Sequence, residues 1–209
     1  MARSPVYFRL NRPKQMTYKL TVMIPTLVNR VSSLKALVEE LQFQSQGKPV
    51  QILWIGDNKS MTVGEKRNHL KYLAKGDFIS FVDDDDTVSF NYISTILRAI
   101  EQNQDKTVIC FKGTQNTNGL KDCPFKYDVN YGRNHKQDID GVRWKVMIPD
   151  HLCVWNRSKI TEDFPNKNLS EDHDWAKAMA FKYNDRDQVL LDDTLYHYEF
   201  SKDRSECRK

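Results

Sequence analysis

The chain has 209 residues and a mass of 24.6 kDa, with 39% hydrophobic and 29% charged residues and only 8 Gly and 7 Pro, which excludes collagen-like and disordered classes and fits one domain with a sizeable core. A net charge of +4 and a pI near 8.8 favour polyanionic partners without demanding them. No apolar run approaches the roughly 20 residues that would span a bilayer, and the first ten residues lack a signal-peptide core, so no transmembrane segment and a cytoplasmic location are expected.

The charge excess gathers at the ends, in Arg3, Arg9, Arg12, Lys14 and Lys19 and again in Lys202, Arg204, Arg208 and Lys209, where solvated tails are the ordinary reading. Cys110, Cys123, Cys153 and Cys207 form no C-x-x-C pair and have no histidine at zinc-finger spacing; reduced thiols are expected.

In chain order, Leu20 to Ile24 is a buried-strand run closed by Pro25 and Thr26. Leu34, Leu37, Val38 and Leu41 then recur at helical spacing, with Ser32 and Ser33 as candidate caps and Gly47-Lys48-Pro49 as the stop. Val50 to Ile55 is a second strand, ended by Gly56-Asp57-Asn58. Thr62 and Glu65 have capping-box spacing, opening a helix that runs to about Lys75-Gly76. Asp77 to Val82 is a third strand, followed at once by Asp83-Asp84-Asp85-Asp86. Ser89 is a candidate cap for a helix carrying Ile93, Ile96, Leu97 and Ile100, and Thr107 to Phe111 is a fourth strand.

This alternation predicts an α/β fold with a mainly parallel sheet covered on both faces, whose ligands bind outside the carboxyl ends of the strands. Pro25-Thr26, Asp57-Asn58 and the aspartate run all fall at such ends. Residues 113–150 are polar and turn-rich, predicting a smaller antiparallel region. Beyond Leu152 to Trp155, Ser170 is a candidate cap for a helix through Trp175, Ala178, Met179 and Phe181, and two short strands, Val189 to Leu191 and Thr194 to Tyr196, precede a charged tail.

Four successive carboxylates repel one another unless a cation compensates them. In an extended segment Asp83 and Asp85 would share a face and Asp84 and Asp86 the other, and such an oxygen pair suits Mg²⁺ or Mn²⁺, which completes its shell with phosphate and water. A calcium EF-hand is excluded, because its sixth and twelfth positions would be Val88 and Ser94.

Thr21 to Thr26 with Arg30, Gly56-Asp57, Gly64-Glu-Lys-Arg-Asn68, and Gly76 through Asp86, extended by Glu171-Asp172 and Tyr196-His197-Tyr198, together resemble the GT-A-fold glycosyltransferases, most closely family 2. The resemblance implies a Rossmann-like sandwich forming one domain over residues 1–209, with a nucleotide-sugar-binding part at 18–112, an acceptor-side part at 113–200 and a basic tail at 201–209. It implies transfer from a nucleotide-diphosphate sugar, UDP-linked, with Pro25, Thr26, Arg30 and Asp57 around base and ribose and Asp57 accepting from the base. Lys66 and Arg67 would face the diphosphate. Asp83 would lie near the ribose beside Asp84, and Asp85 would bind Mn²⁺ or Mg²⁺; a one-residue slip to Asp84 and Asp86 is the alternative register.

His197 would be a further metal or diphosphate contact, and Glu171-Asp172 would supply the general base, with Asp172 preferred. Trp155 and Trp175 would flank the acceptor or belong to the core. Attack opposite the leaving group implies inversion. The acceptor hydroxyl is legible only as a class: a hydroxymethylated pyrimidine in DNA, as in phage DNA-modifying glycosyltransferases of similar size, or a glycan, a lipid-linked or a small-molecule acceptor. A nucleotidyltransferase would ordinarily carry a glycine-rich loop, absent from Pro25 to Arg30; a non-catalytic nucleotide-sugar-binding module would tolerate loss of base and metal ligands, for which candidates are present.

Overall fold

The computed structural model describes residues 17–119, 123–180 and 182–200. Phe181, Cys207 and the basic residues at both ends other than Lys19 lie outside them; Lys19 pairs with Asp77 at 2.9 Å. The described strands form one ten-stranded sheet.

Toward one edge, β1 (Leu20–Leu27) pairs in parallel with the edge strand β2 (Val50–Asp57) on one side and β3 (Phe78–Phe81) on the other. Every residue of β1 is buried, as expected of a strand covered on both faces. β1 continues through Pro25 and Thr26 to Leu27 rather than ending at them, because the bonded neighbour β2 extends equally far, to Asp57. Next to β3 lies β9 (Val154–Asn156), antiparallel to it and also to β5 (Val108–Thr117), so β5 runs in the same direction as β1, β2 and β3. A reversed strand from far along the chain is thus wedged between the third and fourth strands of the β-α alternation.

The two short late strands are one long strand, β10 (Gln188–Phe200), parallel to β5, with register shifts between Leu190 and Thr194 and between Thr194 and Tyr196 that account for the apparent break. β10 also pairs with β4 (Thr87–Val88). The antiparallel region is β6 (Cys123–Tyr127), β7 (His135–Ile139) and β8 (Val142–Met147), with β6 antiparallel to β5, β7 antiparallel to β8, and β8 parallel to β6.

Four helices complete the fold: α1 (Val31–Gln44), α2 (Val63–Leu73), α3 (Tyr92–Gln102) and α4 (Glu171–Ala180). α1 packs with α3 and α2 with α4. α3 buries Tyr92, Ile93, Ile96, Leu97 and Ile100, each apolar side chain worth about 1.5–3 kcal/mol relative to exposure. α1 starts at Val31, so Ser32 and Ser33 sit inside its first turn; α3 starts at Tyr92, and Ser89 Oγ instead donates to the Thr194 carbonyl at 2.7 Å. The Thr62–Glu65 capping box forms in full.

α2 is locked to the segment that leads into α4. The Asn68 side-chain amide donates to the Phe164 carbonyl and accepts from the Phe164 N–H, both at 2.9 Å, and Val63 N–H donates to Asn168 at 2.9 Å. Gly64 is where the two backbones meet: a Cβ there would lie 1.9 Å from the Pro165 carbonyl oxygen. Only a glycine admits this approach. Trp155 and Trp175 are buried in edge-to-face contact, 5.2 Å between centroids, so both belong to the core.

Candidate active site at the carboxyl ends of the parallel strands

A cavity of about 310 Å³ opens where β1 and β3 end, between the aspartate run and the start of α4. Pro25, Thr26, Arg30, Lys66 and Arg67 line it, together with Asp83, Asp84, Asp85, Glu171 and Asp172. Two of the residues expected in the site do not.

Asp57 is one. Its Oδ2 accepts from the Met61 N–H at 2.6 Å and the Ser60 hydroxyl at 3.0 Å, and its buried Oδ1 lies 2.7 Å from the Lys66 ammonium. Burial pushes this carboxyl up, but the Lys66 ammonium and the Met61 and Ser60 donors outweigh it and hold the group well below the usual range. Lys66, also donating to the Thr26 carbonyl at 2.9 Å, is thereby a buried strut under the β1 end rather than a free cation.

His197 is the other. Along β10, alternate residues face opposite sides, so Tyr196 and Tyr198 share one face and His197 takes the other. The Tyr196 hydroxyl donates to Asp86 at 2.6 Å and Tyr198 lines the cavity, while the His197 ring lies within 2.9 Å of the Thr114 hydroxyl and 3.2 Å of the Ser89 hydroxyl. Both imidazole nitrogens are occupied away from the cavity.

The aspartates do not alternate as an extended strand would. The chain turns at Asp84 and Asp85, closed by the Asp86 N–H donating to the Asp83 carbonyl at 3.2 Å, and the four side chains diverge. Asp83 accepts from Arg67 at 3.0 Å and faces His151 at 3.5 Å. Asp84 is buried, accepting from the Thr26 hydroxyl at 2.5 Å and from Arg30 at 2.6 Å. Asp86 turns inward to Tyr196 and the Glu199 N–H at 2.8 Å. Burial, then the neighbouring Asp83, push the Asp86 carboxyl well up, whereas at Asp83 burial is outweighed by Arg67 and His151, which hold its carboxyl low.

That leaves Asp85, on the cavity wall with its side chain 25% exposed and Arg30 at 3.3 Å. Burial first, then Asp83, push its carboxyl up to about 6 against the pull of Arg30, with Asp84 adding to the rise. A carboxylate so penalised as an anion is one a divalent cation would relieve. Among the described residues no group of three or more His, Cys, Asp or Glu forms a closed cage. One carboxylate with room for phosphate oxygens and water fits Mg²⁺ or Mn²⁺, which typically takes one or two from a protein.

Arg67 spans Asp83 and Glu171, its Nε 3.4 Å from Glu171 and its guanidinium 5.1 Å from the Phe81 ring centroid. Its Nη1 is buried with no hydrogen-bond partner. Asp172 lines the cavity, accepts from the His173 N–H at 2.7 Å through Oδ1 and has Oδ2 3.8 Å from His151 Nδ1.

Residues missed in the sequence are Asp150 and His151, from the loop entering β9, Gln115 near the end of β5, and Tyr127 and Lys145 from the antiparallel region, all lining the cavity. Burial and then Arg67 push the His151 imidazole down, but Asp83 and Asp150 outweigh them and raise it. The signal was the pair Asp150-His151 directly before the apolar run Leu152 to Trp155; it gains meaning only when that run is known to start, rather than end, at the ligand side.

The fold is similar to that of the crystal structure of S. aureus TarS 1-349 in complex with UDP-GlcNAc, with a TM-score of 0.59 at 16% identity over 88% of this chain and 59% of that one. The complex of the same protein with UDP gives 0.52 at 16% identity, over 88% and 61%. The chain thus spans about three-fifths of those structures' length. A search of curated proteins finds no match. The family model for glycosyl transferase family 2 matches residues 24–164, well over half of the chain, and the chain belongs to that family.

Proposed function

We propose that this glycosyltransferase moves a sugar from a UDP-linked donor to an acceptor hydroxyl by a single displacement that inverts the anomeric centre. The observation that carries the reading is that the turn bearing Asp83 to Asp85 and the Asp172 carboxylate line one cavity at the strands' carboxyl ends. The UDP and UDP-GlcNAc held by TarS support the donor class.

In the proposed step the acceptor oxygen attacks the anomeric carbon, its proton passes to Asp172 Oδ2, and the bond to the diphosphate breaks with its electron pair on the leaving oxygen. A positioned base of this kind accelerates transfer by roughly 10² to 10⁴. Asp85 would hold Mg²⁺ or Mn²⁺, which when bound supplies charge stabilisation to the leaving diphosphate. Arg67, which lines the same cavity and pairs with Asp83, adds a fixed positive charge beside the diphosphate. Glu171 serves Arg67 and is a positioning group rather than the base.

The acceptor enters from the side of Gln115, Tyr127 and Lys145. A hydroxymethylated pyrimidine in DNA is the acceptor proposed, on the chain's positive charge; glycan, lipid-linked and small-molecule acceptors are the competing outcomes of the test. Incubating the protein with Mn²⁺ and a panel of nucleotide sugars, and following donor hydrolysis and protection against thermal unfolding, tests the reading. UDP-sugars should protect and others should not; no response from any donor overturns it.

A further inference from the structure

His151 has no role in the reading above, yet it is buried at the junction of the cavity's two walls. Its Nε2 lies 3.5 Å from Asp83 Oδ2, its Nδ1 lies 3.8 Å from Asp172 Oδ2 and 4.0 Å from Asp150 Oδ1. Asp150 is already satisfied: Oδ1 accepts from the Leu152 N–H at 3.0 Å and Oδ2 from the Tyr127 hydroxyl at 3.2 Å. Nδ1 itself has no hydrogen-bond partner. Asp172 is half-served in the complementary way, with Oδ1 fixed by the His173 N–H and Oδ2 facing Nδ1. The unpartnered ring nitrogen and the uncommitted carboxylate oxygen therefore face each other.

We propose that His151 is the positioning residue of the Asp172 carboxylate, closing Nδ1 onto Oδ2 and coupling its orientation to Asp83 on the donor wall. The proposal rests on the reading of Asp172 as the base. Its physical content is that an acceptor proton must meet Oδ2 in one orientation, and a carboxylate held by a single bond at Oδ1 rotates. The Phe81 N–H donating to the His151 carbonyl at 3.2 Å anchors the backbone of His151, and the Phe81 ring lies 6.3 Å from the imidazole, tilted by 60°.

Two isosteres divide the ring. An asparagine amide nitrogen falls near the Nδ1 position, whereas a glutamine amide nitrogen falls near Nε2. With a UDP-sugar and an acceptor that supports turnover, His151→Gln should lower kcat by about 10²-fold and His151→Asn by under about tenfold, with donor KM unchanged in both. In an Asp172→Asn background, His151→Gln should cost nothing further. Equal kcat losses in Asn and Gln, loss in Asn alone, or an undiminished loss in the Asp172→Asn background would each overturn the proposal. If Asp172→Asn by itself retains full turnover, the base assignment fails first, whatever the His151 variants do. Assays are run well below each variant's own melting midpoint, so a destabilised variant still reports.

Discussion

The Arg67 guanidinium donates to Asp83 at 3.0 Å while its Nε faces Glu171 at 3.4 Å, so one side chain on α2 joins the end of β3 to the start of α4. Removing it strands two carboxylates in a buried setting. Arg67→Met should therefore destabilise by about 3–5 kcal/mol in urea unfolding, and Arg67→Lys should recover only part, because a single ammonium cannot span both partners.

Asp85 gives a pH signature in the metal-free protein. Its carboxyl sits at about 6 in the fold against an ordinary 3.8, so the native state binds the proton more tightly than the unfolded chain. The resulting cost is absent below about pH 3.8, grows as pH rises, and is complete above about 6, reaching about 3 kcal/mol at most. Asp85→Asn should remove that fall in stability between acid and neutral pH, measured by urea unfolding in chelator. Protection by added Mn²⁺ should appear as pH rises through the same window and be absent from Asp85→Asn.

Gly64→Ala should destabilise by about 1–3 kcal/mol and lower turnover, because its methyl would strike the Pro165 carbonyl and displace the segment bearing Asp172. Gly132→Ala is the control: nothing lies within 4 Å of its Cβ position, and its melt should shift by no more than about 0.5 kcal/mol allows.

Asp172→Asn should keep donor protection against unfolding while losing about 10²- to 10⁴-fold in transfer. Loss of both would mark the residue as structural.

A DNA acceptor makes a demand on salt. Binding to hydroxymethylated duplex should weaken steeply with ionic strength, in a gel-shift series, and neutral glycans should not compete. No binding at low salt would remove DNA as the acceptor.

The nucleotide-side half was legible because its strands are uninterrupted apolar runs and its turns carry strong signals, as in the Thr62–Glu65 box. The aspartate run was placed correctly at a strand end, but the alternation rule failed there because the chain turns at Asp84 and Asp85. His197 lies off the cavity for the opposite reason: alternation does hold on β10, and Tyr198 rather than His197 lines it. His151 was illegible because its position depends on the direction of β9, which is set by pairing with β3 and β5 across more than forty residues of intervening chain, not by its own three residues.

The reversed strand has a consequence for how the protein can be re-engineered. Since β5 departs at the ligand end and the chain re-enters β9 from that same end, the segment between begins and ends at one rim, while its β6 pairs with β5 and its Phe125, Tyr127 and Met147 join the core. Its β7–β8 turn at Asp140 and Gly141 is the place where the chain can be lengthened without disturbing that pairing. An insertion at that turn should leave the melting midpoint and the protection given by a UDP-sugar unchanged.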